Sequence, residues 1–142
     1  MTSITQSQAK ELFSRYIDAW NARDFPRMAA FFSEPSTFVL EAGTTINRDR
    51  AALMELFRTI FVGLDERGFD HTEIGIVEVR PCARGIAIMD VADITRFDKR
   101  GIAFEVMDAH FTIREIGREW KFVTVVWCAH GWRHMKEAKH DV

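Results

Sequence analysis

The chain has 142 residues, 47% of them hydrophobic, with twelve Phe and four Trp, which suffices for one domain built on one core. Its formal net charge is -2 and no basic run occurs, so neither nucleic acid nor an anionic membrane surface is expected as a partner. Cys82 and Cys128 form no C-x-x-C pair, the opening Met-Thr-Ser-Ile-Thr-Gln lacks a basic stretch before an apolar core, and no stretch reads as a membrane span; a reduced, cytoplasmic setting is the default expectation.

The first predicted element is a helix. Ala9, Leu12, Phe13, Tyr16, Ile17 and Trp20 recur at spacings of three and four on one stripe, while Lys10, Glu11, Arg15 and Asp18 fall largely outside it. Thr5, with Gln8 three residues later, fits a capping box at its start. Asn21-Ala22-Arg23-Asp24 breaks the pattern, and Asp24 with Pro26 opens a short second helix, whose Phe25, Met28, Ala29 and Phe32 share a face until Ser33-Glu34-Pro35-Ser36 stops it. Thr37 to Glu41 is β-prone, and Ala42-Gly43-Thr44 turns it into a brief return strand around Thr45 and Ile46. Asn47 is placed to cap a third helix, in which Leu53, Leu56, Phe57, Ile60, Phe61 and Leu64 form the cleanest stripe in the chain. Gly68 and Asp70 end the helical half.

From there the period becomes two. Strands are predicted over His71 to Arg80, Arg84 to Phe97, Ile102 to Arg114 and Glu119 to His130, joined by short turns that make neighbours antiparallel. Gly101 and Gly117 each sit late in a turn, as a three-residue loop with a left-handed residue requires. With Lys99-Arg100-Gly101 as the first loop, Asp90 comes opposite His110; with Glu115-Ile116-Gly117 as the second, Asp108 comes opposite Thr124. Even-numbered positions then share one face, among them Asp90, Ile94, Phe104, Val106, Asp108, His110, Phe122 and Thr124, and that face is read as a pocket wall. Val123, Val125 and Trp127 fall on the other face, which is also largely apolar. Three helices can cover only one face, so the other is expected to meet a second copy in a homodimer.

Residues at both ends of the chain point to a family. Tyr16-Ile17-Asp18-Ala19-Trp20-Asn21-Ala22-Arg23-Asp24, followed by Met28-Ala29-Ala30-Phe31-Phe32-Ser33-Glu34, resembles the opening of the SnoaL-like members of the nuclear transport factor 2-like superfamily. Gly117-Arg118-Glu119-Trp120-Lys121-Phe122-Val123 resembles the Gly-x-x-Trp-Lys-Ile pattern that begins their final strand, so the likeness runs from about Glu11 to Trp127. It implies an α+β fold in which a curved antiparallel sheet wraps around three N-terminal helices, a cone-shaped α+β barrel occupying residues 1–142 with 131–142 as a frayed tail. It implies no single activity, because this cone hosts isomerases, cyclases, dehydratases, hydrolases and non-enzymatic binders. In ketosteroid isomerase, a member of the superfamily, a helix Tyr and a neutral strand Asp hold an enolate oxygen. Tyr16 matches that Tyr and Asp108 falls close to that Asp, but the position of the general base lands on Leu40, with Glu41 pointing to the opposite side. Steroid isomerisation is therefore not expected.

The catalytic candidates are His110, Asp108, Tyr16 and Asp90, since a carboxylate beside an imidazole fixes its tautomer and suits proton transfer near neutral pH. Each has a plainer reading, as a buried hydrogen-bonded hydroxyl for Tyr16 and a satisfied ion pair for the others. Trp20, Phe57, Phe104, Val106, Phe122 and Thr124 are expected to line a pocket for a small apolar or aromatic ligand. No cofactor is expected, because the chain has no Gly-rich phosphate loop, nucleophile elbow or dinucleotide fingerprint. No metal is expected either: only His130 and His134 sit four apart, behind Cys128, in a charged tail. Two classes remain, an enzyme doing acid–base chemistry on an apolar or polycyclic substrate and a non-catalytic ligand-binding or dimerisation module.

Overall fold

The computed structural model describes residues 3–131. The tail expected from 131 onward, with His134 and His140, lies outside the described residues except for Gly131. The capping box at Thr5 is made in full: its hydroxyl accepts the Gln8 N–H at 3.1 Å and the Gln8 side chain accepts the Thr5 N–H at 2.9 Å. It starts α1 (Gln6–Asn21), and Asp24 caps α2 (Phe25–Ala29) by accepting from Arg27 N–H. Phe32 does not extend α2. It begins β1 (Phe32–Leu40), where it pairs in the ladder with Phe122, and β2 (Gly43–Asn47) returns beside it. Asn47 is held in that hairpin opposite Ser36, so the cap of α3 (Arg50–Glu66) passes to Asp49, which accepts the Ala52 N–H at 2.9 Å.

The single strand expected from His71 to Arg80 is two, β3 (Phe69–Glu73) and β4 (Ile76–Ala83), lying one after the other along the same edge of β5 (Ile86–Asp98). With β6 (Ala103–Ile116) and β7 (Glu119–Ala129), the strands form one sheet in the order β2-β1-β7-β6-β5-β3, all pairs antiparallel except β1 with β7. The architecture is α+β, a curved, unclosed sheet with three helices in its hollow. The helices supply one side of the core: Phe13 of α1 meets Phe111 of β6 at 5.3 Å between ring centroids, and Tyr16 meets Phe122 of β7 at 5.1 Å. Asn21 ties the end of α1 to the sheet by exchanging two hydrogen bonds with the Thr72 backbone, at 2.8 and 2.9 Å.

Register decides which residues enter the hollow. The first turn is as expected: Asp98 N–H donates to Ile102 O at 2.9 Å, Gly101 has φ +79°, and Asp90 stands opposite His110. The second differs. Ile116 pairs with Glu119, leaving a two-residue turn of Gly117 and Arg118, so Asp108 faces Cys128 and it is Thr112 that faces Thr124. A shorter loop displaces the ladder, and an extra residue at Val123 displaces it again.

A bulge in β5 matters more. Val91 pairs with Ala109 and Ile94 with Met107, so Ala92 and Asp93 together oppose Asp108, and Asp93 takes φ +59°. Alternation reverses there: Ala87, Met89 and Val91 point into the hollow before the bulge, Ile94 and Arg96 after it. Asp108 accepts the Asp93 N–H at 3.0 Å and the Gly131 N–H at 3.0 Å, which satisfies the extra residue and the end of β7 with one buried carboxylate.

Gly75, at the break between β3 and β4, lies against this bulge, where an added Cβ would stand 2.7 Å from Asp93 Cβ and 2.9 Å from Ala92 O. Gly75→Ala is expected to lower stability by roughly 1–3 kcal/mol in urea titration, because backbone must move to admit the methyl group. Gly63→Ala on α3, where nothing lies within 4 Å, is the matched control and should raise stability by up to about 1 kcal/mol.

Candidate functional site

The hollow of the sheet retains a cavity of about 100 Å³, lined by α1, α3 and strands β1, β3, β5, β6 and β7. Most of the wall is apolar: Phe13, Ile17, Phe38, Leu40, Ile60, Ile94, Met107, Ala109, Phe111, Val125 and Trp127. Four wall residues carry polar atoms, Tyr16, Trp20, Thr72 and Arg96. Trp20 Nε1 and Thr72 Oγ1 are buried with no hydrogen-bond partner. Arg96 Nη1 is held by Glu105 Oε1 at 2.8 Å, and its guanidinium lies 5.6 Å from the Trp20 ring centroid. The pairing exists because Phe104 is an extra residue on β6, which brings Glu105 opposite Arg96.

The expected constellation divides in two. Tyr16 and Trp20 line the cavity, whereas His110 and Asp90 stand on the outer face of the sheet, joined by a 2.8 Å hydrogen bond from His110 Nδ1 to Asp90 Oδ1. Asp108 also belongs to the outer side, covered by the bulge and Gly131. The even face is thus the outer face up to the bulges, because the neighbours of His110 that reach the cavity are Ala109 and Phe111. The expected lining changes accordingly. Phe57 and Phe122 are fully buried in the aromatic core, Phe104 packs on Phe69 and under the Arg67 guanidinium, Val106 is exposed, and Thr124 is on the outer face opposite Thr112. Val125 and Trp127, expected at a dimer interface, line the cavity instead. Glu41 is exposed between β1 and β2 and does not turn inward.

Arg96 and Thr72 were not legible as pocket residues. Arg96 enters the hollow because the β5 bulge reverses the alternation, and nothing in the sequence set it apart from the other charges of that strand, Asp90, Asp93 and Asp98. Thr72 carried none.

Among the described residues, Asp93, Asp108 and His130 bring one ligand atom each within 4.8 Å of one another. Their lone pairs are engaged internally: His130 Nε2 bonds Asp93 Oδ1 at 2.8 Å, and both Asp108 oxygens accept backbone N–H groups. A cation there would compete with the hydrogen bonds that hold the bulge.

Residues 6–130 match the family described as NTF2-like protein (DUF6841). The chain belongs to that family. No curated protein matches it. Among solved structures it is similar to an NTF2-like protein with a cystatin-like fold from Novosphingobium aromaticivorans, at 17% identity over 94% of this chain and 87% of that one, with TM-score 0.73. It is similar also to a domain of unknown function with a cystatin-like fold from Nostoc punctiforme, at 19% identity over 99% and 88% of the two chains, TM-score 0.71. Aln2 from a Streptomyces species aligns at 16% identity over 90% and 91%, TM-score 0.71. At these identities the likeness concerns the fold.

In this NTF2-like chain Tyr16 is the only tyrosine, which makes its ionisation observable. Burial pushes the phenol well above its ordinary value, and the Arg96 guanidinium offsets a smaller part of that rise. Arg96 itself is shifted downward by burial, with Glu105 opposing the shift. Since the folded phenol ionises at higher pH than the unfolded one, its contribution to stability is complete below about pH 10 and is lost as pH rises from there through the folded value. An alkaline titration followed by tyrosinate absorbance is expected to show no ionisation near pH 10, with the band appearing together with the loss of near-UV circular dichroism. A freely titrating band in folded protein would show that the hydroxyl is solvated.

Proposed function

We propose that this protein is a small-molecule-binding cone domain whose ligand is an apolar or aromatic group of about one ring carrying a hydrogen-bond acceptor. The observation that carries the reading is the cavity wall itself: aromatic and aliphatic on most sides, with Tyr16, Trp20, Thr72 and Arg96 as its polar groups and no carboxylate or imidazole among the lining residues. Every one of those four can donate, and the buried Trp20 Nε1 and Thr72 Oγ1 lack partners. A carbonyl or oxyanion placed among them answers that excess of donors. The volume argues against a polycyclic occupant: at about 100 Å³ the cavity is smaller than the roughly 150 Å³ apolar cavity that accepts benzene, so a single ring is the largest group it takes, and the ring enters with some movement of the wall. Binding is favoured over isomerase, cyclase or dehydratase chemistry because proton abstraction near neutral pH needs a base at the ligand, and the lining residues include no carboxylate or imidazole.

Benzamide and toluene test this directly. Benzamide should move the Trp20 indole N–H resonance and bind more tightly than toluene, and Tyr16→Phe should weaken benzamide by about tenfold, the loss of roughly one hydrogen bond. Neither probe moving that resonance at millimolar concentration would sink the reading.

The outer face supports a second role, dimerisation. Rows across the ladder put Ile46, Thr37, Thr124, Thr112 and Ile88 side by side, and next to them Val39, Val126, His110 and Asp90. Ile46 is 68% exposed, Ile76 51% and Val39 38%, in a surface that none of the described helices covers. A two-fold homodimer through this face would bury them and would enclose the His110–Asp90 pair, where acid–base chemistry by that pair, with Asp108 behind it, would have to take place. Sedimentation at tens of micromolar, where a standard-sized interface should be formed, is expected to give a dimer that Val126→Arg converts to monomer. A wild-type monomer under those conditions would remove this role.

A further inference from the structure

A second concavity lies outside the cone. A cleft of about 560 Å³ opens on the other side of α1, between that helix, the α2–β1 junction and the turn from β6 to β7. Its apolar floor includes Leu12, Phe31 and Trp120. Around that floor stand four cations, Arg15, Arg27, Arg118 and Lys121, against two carboxylates, Glu11 and Glu119, in a chain whose overall charge is negative.

The cations are not equally committed. Lys121 Nζ donates to Ala30 O at 2.6 Å and pairs with Glu119 at 3.1 Å, which neutralises both and ties β7 to the α2–β1 junction. The Arg15 guanidinium lies 5.7 Å from the Phe31 ring centroid, stacked toward the floor. Arg27 and Arg118 form no side-chain ion pair among the described residues, and they approach the same cleft from different elements. Three guanidiniums with one remaining carboxylate leave a local excess of positive charge over flat aromatic surface. That combination suits a compact dianion, because guanidinium forks match phosphate oxygens, and it suits a flat group attached to the dianion, because the half-buried Trp120 indole and the Arg15 guanidinium plane over Phe31 offer surface to pack on. A cleft of this volume falls within the range that encloses a drug-sized molecule.

We propose that this cleft binds a phosphate monoester of a flat aromatic group, of mononucleotide size, with Arg27 and Arg118 on the phosphate and the aromatic portion against Trp120 and the Arg15 guanidinium. The site is separate from the cone cavity and shares no lining residue with it.

The probes are adenosine 5′-monophosphate, adenosine and inorganic phosphate, followed by backbone amide shifts on the full chain. The monophosphate is expected to perturb amides of Glu11, Arg15, Arg118 and Trp120, to weaken as salt is raised, and to bind at least about tenfold more tightly than either fragment. Arg27→Ala and Arg118→Ala should each reduce its affinity by about tenfold, as expected for loss of a charge-assisted hydrogen bond, while leaving thermal stability unchanged because both side chains are exposed. Equal binding of adenosine, equal binding of phosphate alone, shifts confined to the cone cavity, or no effect of either substitution would each overturn the proposal.

Discussion

One carboxylate organises this fold. Asp108 sits directly opposite the two bulged residues of β5, and by accepting the Asp93 N–H it satisfies the donor that a bulge otherwise leaves without a partner. Its second oxygen does the same for Gly131 at the end of β7. Without the bulge, Ile94 would follow the outer face of Ile88 and Asp90, and Arg96 would point to solvent instead of toward Trp20. The one charged group of the cone wall, Arg96, is thus placed by a residue that does not line the cavity.

The same arrangement explains why the sheet presents two different surfaces. On the inner row Phe38, Val125, Phe111 and Met89 face one another across four strands and pack on α1. On the adjacent outer row Val39, Val126, His110 and Asp90 are neighbours in the same ladder. The imidazole and carboxylate satisfy each other there, so a polar pair is accommodated on an otherwise apolar strip without entering the core.

The helical half of this fold was legible because periodicity and capping agree: Thr5 and Gln8 form the box that their spacing suggests, and the stripe from Leu53 to Leu64 faces the core. The pairing of Asp90 with His110 came out as read because the extra residue on β6 and the extra residue on β5 cancel between that pair and the Gly101 loop. Beyond that point sequence reasoning lost the faces. A bulge at Asp93 leaves no composition signal, because its cause is a side chain fifteen residues away, and the two-residue turn at Gly117 differs from a three-residue one by a choice that local residues leave open. Each extra residue carries the side chains beyond it to the opposite surface, which is why Asp90 and His110 lie outside while Ile94, read on the same face as they, lies inside.

The last strand is not an edge strand. β7 lies between β1 and β6, pairing with a segment about ninety residues earlier on one side and with its immediate predecessor on the other. During synthesis, the β1–β2 hairpin therefore has an unsatisfied edge until residues 119–129 have left the ribosome, and α1 lacks Phe122 and Trp127 to pack against. The decisive association is also the one with the longest loop to close, a feature that slows folding and prolongs exposure of apolar strands. A nascent chain stopped before β7 would hold the β1–β2 hairpin and the β3–β6 meander as two pieces of sheet without the strand that joins them.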